Sequence, residues 1–161
     1  GRFRPIGTTD SEHAFCWLMG ELEARWGTLP PPARLDAALP PLFARLAGLG
    51  VFNALLSDGR TLYAHCGKKL SVITRRAPFG RATLLDEDLQ VDFAAETTPN
   101  DVVSVVATQP LTRDEAWRTL SPGETLALRE GEVFDIGPRR VTIRRGARDT
   151  GETASAGRAA E

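Results

Sequence analysis

The chain has 161 residues, which suits one ordinary domain and leaves too little for two independent ones of usual size. Its 42% hydrophobic and 25% charged residues match soluble globular chains and exclude collagen-like, disulfide-stapled or wholly disordered classes. Twenty Lys and Arg against twenty-one Asp and Glu give a net charge of −1, so no global field draws the chain to nucleic acid or to an anionic membrane.

In chain order, Thr9-Asp10-Ser11-Glu12 is a helix-start signal with capping-box spacing between Thr9 and Glu12. Phe15, Leu18, Met19, Leu22 and Trp26 recur at helical intervals and predict one buried face. Gly27 and Pro30-Pro31-Pro32 end that helix. A second stripe follows at Leu35, Leu39, Leu42, Phe43 and Leu46, and Pro40-Pro41 predicts a break or kink near Leu39. From Val51 the grammar changes to short runs between turn residues. Val51 to Ser57 and Thr61 to Cys66 flank Asp58-Gly59 and predict an antiparallel hairpin. Strands are expected at Leu70 to Thr74, Ala82 to Leu85, Gln90 to Phe93, Val102 to Thr108, Thr125 to Arg129 and Val133 to Ile136. Asp114 to Leu120 reads as a helical turn or a loop. The apolar run Val102 to Ala107 predicts a central strand covered on both faces. Beyond Ala147 no large apolar residue occurs, and the tail from 137 to 161, basic and then of low complexity, is expected to be disordered. The fold class is therefore α+β, two helices followed by a mostly antiparallel sheet, with the folded part at 1–136.

No apolar run approaches the ~20 residues needed to cross a bilayer, and the first five residues lack the apolar core of a signal peptide. Cys16 and Cys66 have no metal-ligand spacing, which fits a reducing compartment, so a cytoplasmic setting is expected with no metal and no cofactor. Cys16 reads as a buried, inert thiol. His65 and Cys66 are adjacent on a strand and point to opposite faces, so they do not form a catalytic pair. His13, in the first helical turn, reads as solvated or capping. Arg75-Arg76 either grips a carboxylate or forms a solvated face, and the solvated face is favoured. Arg139, Arg140, Arg144, Arg145 and Arg148 form a basic patch without interleaved aromatic residues, so no nucleic-acid partner is expected. Asp10 has two readings that spacing does not separate: a carboxylate at a helix start, or a binding group for a cation such as a substrate α-ammonium.

Five stretches taken together carry a resemblance. They are Arg4-Pro5-Ile6-Gly7-Thr8-Thr9-Asp10-Ser11-Glu12-His13-Ala14-Phe15-Cys16-Trp17-Leu18, Gly50-Val51-Phe52-Asn53-Ala54-Leu55-Leu56-Ser57-Asp58-Gly59-Arg60, Ile73-Thr74-Arg75-Arg76-Ala77-Pro78-Phe79-Gly80, Ala82-Thr83-Leu84-Leu85-Asp86, and the run from Thr97 to Thr112. In this order they resemble the C-terminal portion of the YafJ-type class II glutamine amidotransferases. The resemblance implies part of an αββα N-terminal-nucleophile sandwich. It also implies a reaction in which an N-terminal cysteine, with its own α-amine as base, attacks the glutamine side-chain amide and releases ammonia through a thioester.

By the same resemblance Asp10 holds the glutamine α-ammonium, and glutamine or a small γ-glutamyl compound is the expected ligand. The nucleophile, the carboxylate-binding arginine and the Asn-Gly oxyanion pair belong to the family's N-terminal portion, which these residues do not include. Gly1 is not a cysteine, and neither Cys16 nor Cys66 has a free α-amine. No catalytic residue is thus expected among residues 1–161, and the chain by itself is expected to be inactive. A fragment of a longer gene is the favoured explanation, with exposed sheet surface that could self-associate. The alternative is a non-catalytic binding or scaffold module of the same fold.

Overall fold

The structure is a computed structural model that describes residues 2–27, 30–85, 90–92 and 98–137. Helix α1 spans Asp10–Trp26 and α2 spans Pro32–Ala47. Thr9 caps α1, its Oγ1 accepting from the Glu12 amide at 3.3 Å. The Glu12 carboxylate reaches further back than a capping box requires and accepts from the Ile6 and Gly7 amides at 2.7 and 2.9 Å. The incoming chain is thereby tied to the first turn. Gly27, at φ 67°, closes the helix in the left-handed conformation that glycine adopts at least cost.

Two expectations about the helices are corrected. Phe15 belongs to the predicted apolar stripe of α1 but is half exposed, whereas Leu18 and Leu22 are buried. Leu18 and Leu22 lie over the sheet, and Phe15, one turn earlier, faces an open cavity beside the sheet edge. In α2 the helix runs through Pro40-Pro41 without a break. Proline's φ is itself helical, so what is lost is an amide donor and some clearance, about 3 kcal/mol per residue. Leu35, Leu39, Leu42, Phe43 and Leu46 are all buried along this helix, at about 1.5–3 kcal/mol each, and together they outweigh that cost.

The strands form two main antiparallel sheets. The first has the order β1-β2-β8-β9, from β1 (Ala54–Ser57), β2 (Leu62–His65), β8 (Thr125–Arg129) and β9 (Glu132–Asp135). The second has the order β6-β3-β7, from β3 (Ser71–Arg76), β6 (Val102–Ala107) and β7 (Arg118–Thr119). A separate ribbon pairs β4 (Arg81–Thr83) with β5 (Gln90–Asp92). The predicted hairpin is present: Ala54 pairs with His65, and the Asp58 carboxylate accepts from the Arg60 and Thr61 amides at 2.9 and 2.7 Å across the turn. At the β8–β9 turn, Gly131 has φ 77°, and a Cβ there would collide with the Val102 carbonyl. Only glycine fits that approach.

Strand alternation sorts the core into two parts. Tyr63 and Ala127 face the helices and join Leu18, Leu22, Leu39 and Phe43. Ala64, Cys66, Leu126 and Leu128 face the other way, against Leu70, Val72 and Leu120. The layers are therefore helices, first sheet, second sheet, and the α+β expectation of two helices followed by antiparallel sheets holds. His65 and Cys66 do point to opposite faces, as strand geometry predicts.

The apolar run Val102 to Ala107 is a strand, but not the central one. Among the described residues β6 pairs only with β3, and β3 occupies the middle of its sheet. Val106 packs into the core between the sheets, whereas Val103 is exposed on the outer face. Apolar residues on both faces of a strand therefore do not establish that both faces are covered. Asp114 to Leu120 is a loop that ends in β7. Phe93, Asp86, Thr97 and the tail expected from 137 onward, including Arg139 to Arg148, lie outside the described residues except for Gly137.

Candidate functional site

Asp10 is the first residue of α1 and is exposed. Thr9 takes the Glu12 amide, so the helix end engages Asp10 through one carboxylate oxygen only. Its Oδ1 accepts from the Ser11 amide at 2.7 Å and from the Ser11 hydroxyl at 3.3 Å, both within its own turn. No cation pairs with it among the described residues.

Asp10 lines a cavity of about 840 Å³. One wall is the first half of α1, through Ala14 and Trp17, and the opposite wall is α2, through Phe43 and Leu46. The chain from 49 to 53 and the strand β1 complete it. The charged groups at the cavity differ in their commitments. Arg45 is held by Glu21 at 3.0 Å and stacks over the Trp17 ring at 4.6 Å from its centroid. Asp10, by contrast, makes no ion pair among the described residues and bonds only to Ser11.

The wall from 49 to 53 is fixed by its own sequence. The Asn53 Oδ1 accepts from the Gly67 and Lys68 amides at 2.8 and 3.2 Å, and its Nδ2 donates to the Lys69 carbonyl at 3.0 Å. Both ends of the Asn53 amide are thus committed to the 67–69 turn. A Cβ on Gly67 would overlap the Phe52 backbone, so glycine permits the close approach that the clamp needs. Sequence reasoning did not single out Asn53. Its signal, an Asn just before a strand that faces a glycine turn, becomes readable only once the two segments are known to touch.

Beneath this wall lies His65, buried to 1% exposure. Its Nδ1 is 2.8 Å from the Thr125 Oγ1, and its ring lies between Phe43 and Phe52, with centroids 5.1 and 6.1 Å away. Burial pushes its pKa down and favours the neutral ring. Nε2 has no partner among the described residues.

The other residues singled out from the sequence fall elsewhere or are already engaged. Arg75 is not a solvated residue: its Nε and Nη2 donate to both Glu115 carboxylate oxygens at 2.6 Å, and Glu115 in turn accepts from Thr112. Arg76 is paired with Glu132. The favoured reading of a solvated face is corrected for Arg75, whose side chain is mostly buried against a carboxylate 40 residues away in sequence, and holds for Arg76, which stays exposed although it pairs with Glu132. Cys66 is buried, its thiol raised in pKa by burial and then by Glu124. Cys16 is half-buried rather than buried. His13 is exposed and lines the same cavity as Asp10. Among the described residues no group of three or more His, Cys, Asp or Glu side chains could hold a metal ion. No helix among them is long and apolar enough to cross a membrane.

The family model for class-II glutamine amidotransferases matches residues 1–152. The chain belongs to that family. It is 54% identical to YafJ of Escherichia coli (strain K12) over 142 residues, covering 88% of this chain and 53% of that protein. A relative in Haemophilus influenzae is 36% identical over 129 residues, covering 80% of this chain and 44% of the relative. Among solved structures, the chain resembles a "predicted glutamine amidotransferase" from Pseudomonas aeruginosa PA01, with 48% identity and a TM-score of 0.73. That match covers 82% of this chain and 52% of the other. These matches make the family member one of the YafJ type. The chain spans about half the length of the curated relatives it matches.

Proposed function

We propose that these residues form the substrate-holding wall of a glutamine amidotransferase, with the Asp10 carboxylate receiving the glutamine α-ammonium. The observation that carries this reading is the division of labour at the start of α1. Thr9 takes the Glu12 amide and Glu12 ties down the chain before the helix, while Asp10, bonded only to Ser11, stands exposed beside a cavity without a counterion among the described residues. A charge-assisted hydrogen bond from an ammonium group to such a carboxylate contributes about 1.5–3 kcal/mol. The apolar walls formed by Trp17 and Phe43 exclude water beside it and strengthen the attraction.

Amide cleavage by the class-II route needs an N-terminal cysteine, which residues 1–161 do not supply. Cys66 is sealed between the sheets with a raised pKa, the reverse of an activated thiol. In this reading the nucleophile, the arginine that binds the substrate carboxylate and the oxyanion donors come from the portion of the fold outside these residues, within an αββα sandwich. Attack on the amide releases ammonia, which goes free or to an acceptor, and water then cleaves the thioester to return the thiol and glutamate.

The test is a titration of the chain with L-glutamine followed by amide NMR shifts. Movement is expected at Asp10 and Ser11 and is expected to vanish in Asp10→Asn. A glutamine analogue without the α-amino group should leave those shifts in place. Equal response to both ligands, or an unchanged response in Asp10→Asn, refutes the assignment. Glutamine-dependent ammonia release from the purified 161-residue chain would refute the claim that the nucleophile lies elsewhere.

A further inference from the structure

His65 is a buried titratable group that the proposed site leaves unused. It lies on β2 at 1% exposure, with Nδ1 engaged by the Thr125 hydroxyl and the ring between Phe43 and Phe52. Its Nε2 has no partner among the described residues. A neutral ring in that position forfeits one hydrogen bond. A charged ring carries a proton on both nitrogens, and a buried cation without an acceptor is far costlier than a buried neutral group.

The elements around the ring offer no counter-charge. Segment 49–53 and strand β1 contain no titratable side chain. On α2, Arg34 and Asp36 lie about two turns or more before Phe43, and Asp36 is bound to Arg129 of β8. Arg45 is bound to Glu21 of α1, and Glu124, just before β8, to Arg118. The α1 groups at the cavity, Asp10 and His13, are exposed. Tyr63 shares the His65 face of β2, and burial raises its pKa, which keeps the phenol neutral.

The partner that makes this ring consequential is Phe52. Of the apolar residues Leu49, Val51 and Phe52, it is Phe52 that packs into the helix-side core. A second anchor of the 49–53 wall is the Asn53 clamp on the 67–69 turn. Both anchors end on one short stretch of chain, 65–69.

We propose that His65 is a proton-operated latch on the 49–53 wall: the neutral ring holds Phe52, and a ring that gains a second proton releases Phe52, with the Asn53 clamp opening alongside it. Opening lets water reach Nε2 and solvate the charge. Residues 49–53 line the cavity beside Asp10, so the latch sets the order of that wall whatever ligand the cavity takes.

Amide exchange of the 161-residue chain, followed by NMR, reads the latch at Gly67 and Lys68, whose amides donate to the Asn53 Oδ1 at 2.8 and 3.2 Å. A histidine in water titrates near 6.5, and burial holds His65 lower. The open state therefore takes the proton first, and opening is favoured as pH falls below about 6.5. Relative to the intrinsic exchange rate, protection at these two amides should fall roughly 10-fold from pH 7.5 to 5.0. Opening of a short segment exposes little surface, so this exchange should be indifferent to dilute urea, whereas the β3 amides should respond steeply. The chain has two histidines. His65→Gln should abolish the pH dependence, with His65→Phe in its place if that variant does not fold, and His13→Asn should preserve it.

Protection that does not change with pH overturns the proposal, as does a change that survives substitution of His65 or disappears in His13→Asn. Exchange at Gly67 and Lys68 as steep in urea as at β3 also overturns it, because protonation then acts on the whole fold and not on the wall. No glutamine enters this assay, so the Asp10 assignment stands or falls separately.

Discussion

Replacing Glu12 and Asp10 in turn separates helix capping from ligand binding at the start of α1. Glu12→Ala removes two hydrogen bonds, from the Ile6 and Gly7 amides at 2.7 and 2.9 Å. Both amides are exposed and regain water, so each bond is placed at about 1 kcal/mol, the ordinary net value. The lost charge at the helix start adds ~0.3–1 kcal/mol, for a total near 2–3 kcal/mol. Asp10→Asn keeps an oxygen to accept from the Ser11 amide and loses only the dipole share, ~0.3–1 kcal/mol. For a chain of this length 1 kcal/mol shifts Tm by roughly 2–4 °C. Thermal melts by circular dichroism should therefore show a drop of about 4–12 °C for Glu12→Ala and about 1–4 °C for Asp10→Asn. Glutamine binding, measured by calorimetry, should run in the opposite order. Asp10→Asn weakens it at least ~10-fold, and Glu12→Ala changes it by less than about 3-fold, because only the first removes a charge-assisted bond to ligand. If Asp10→Asn proves as destabilising as Glu12→Ala and leaves glutamine binding untouched, Asp10 is part of the cap and the proposed site is wrong.

Three further outcomes follow from the same structure. Hydrogen bonds from Arg75 hold the Glu115 carboxyl below its usual range, so the stability it contributes is present above the ordinary carboxylate range and lost as pH falls through the folded value. Glu115→Gln should cost about 2–3 kcal/mol in urea unfolding at neutral pH, since it strands a largely buried guanidinium, and the difference from wild type should shrink as the pH drops below about 4. The buried His65 binds a proton more readily when unfolded, so stability should decline as pH falls below about 6.5, by at most ~1.4 kcal/mol per unit. His65→Gln should remove its share of that slope, and an unchanged slope would mean that His65 is not its source. Gly67→Ala forces a Cβ into the Phe52 backbone and should cost about 1–3 kcal/mol while loosening the 49–53 wall, seen as faster amide exchange there.

What the sequence determines by itself is local. The start of α1 at Thr9, its end at Gly27 and the turn at Asp58-Gly59 follow from backbone sterics and from hydrogen bonds a few residues apart. Strand positions followed from runs of apolar residues between turns. The family, too, was readable from the five motifs in their order along the chain, and the match to the class-II glutamine amidotransferase model bears it out.

Only the tertiary structure decided the rest. That α2 continues through Pro40-Pro41 depends on a buried face outweighing a local penalty. That β6 lies at an edge depends on which strand pairs with β3, and the His65 and Thr125 side chains that meet across the first sheet are 60 residues apart. Arg75 finds Glu115 and Asn53 finds the 67–69 turn by the same kind of long-range closure. Asp10 itself was visible as a carboxylate at a helix start. That it keeps to Ser11 and forms no ion pair among the described residues is seen only in three dimensions, and its opening onto a cavity is set by α2 and β1, segments that no periodicity in its own neighbourhood encodes.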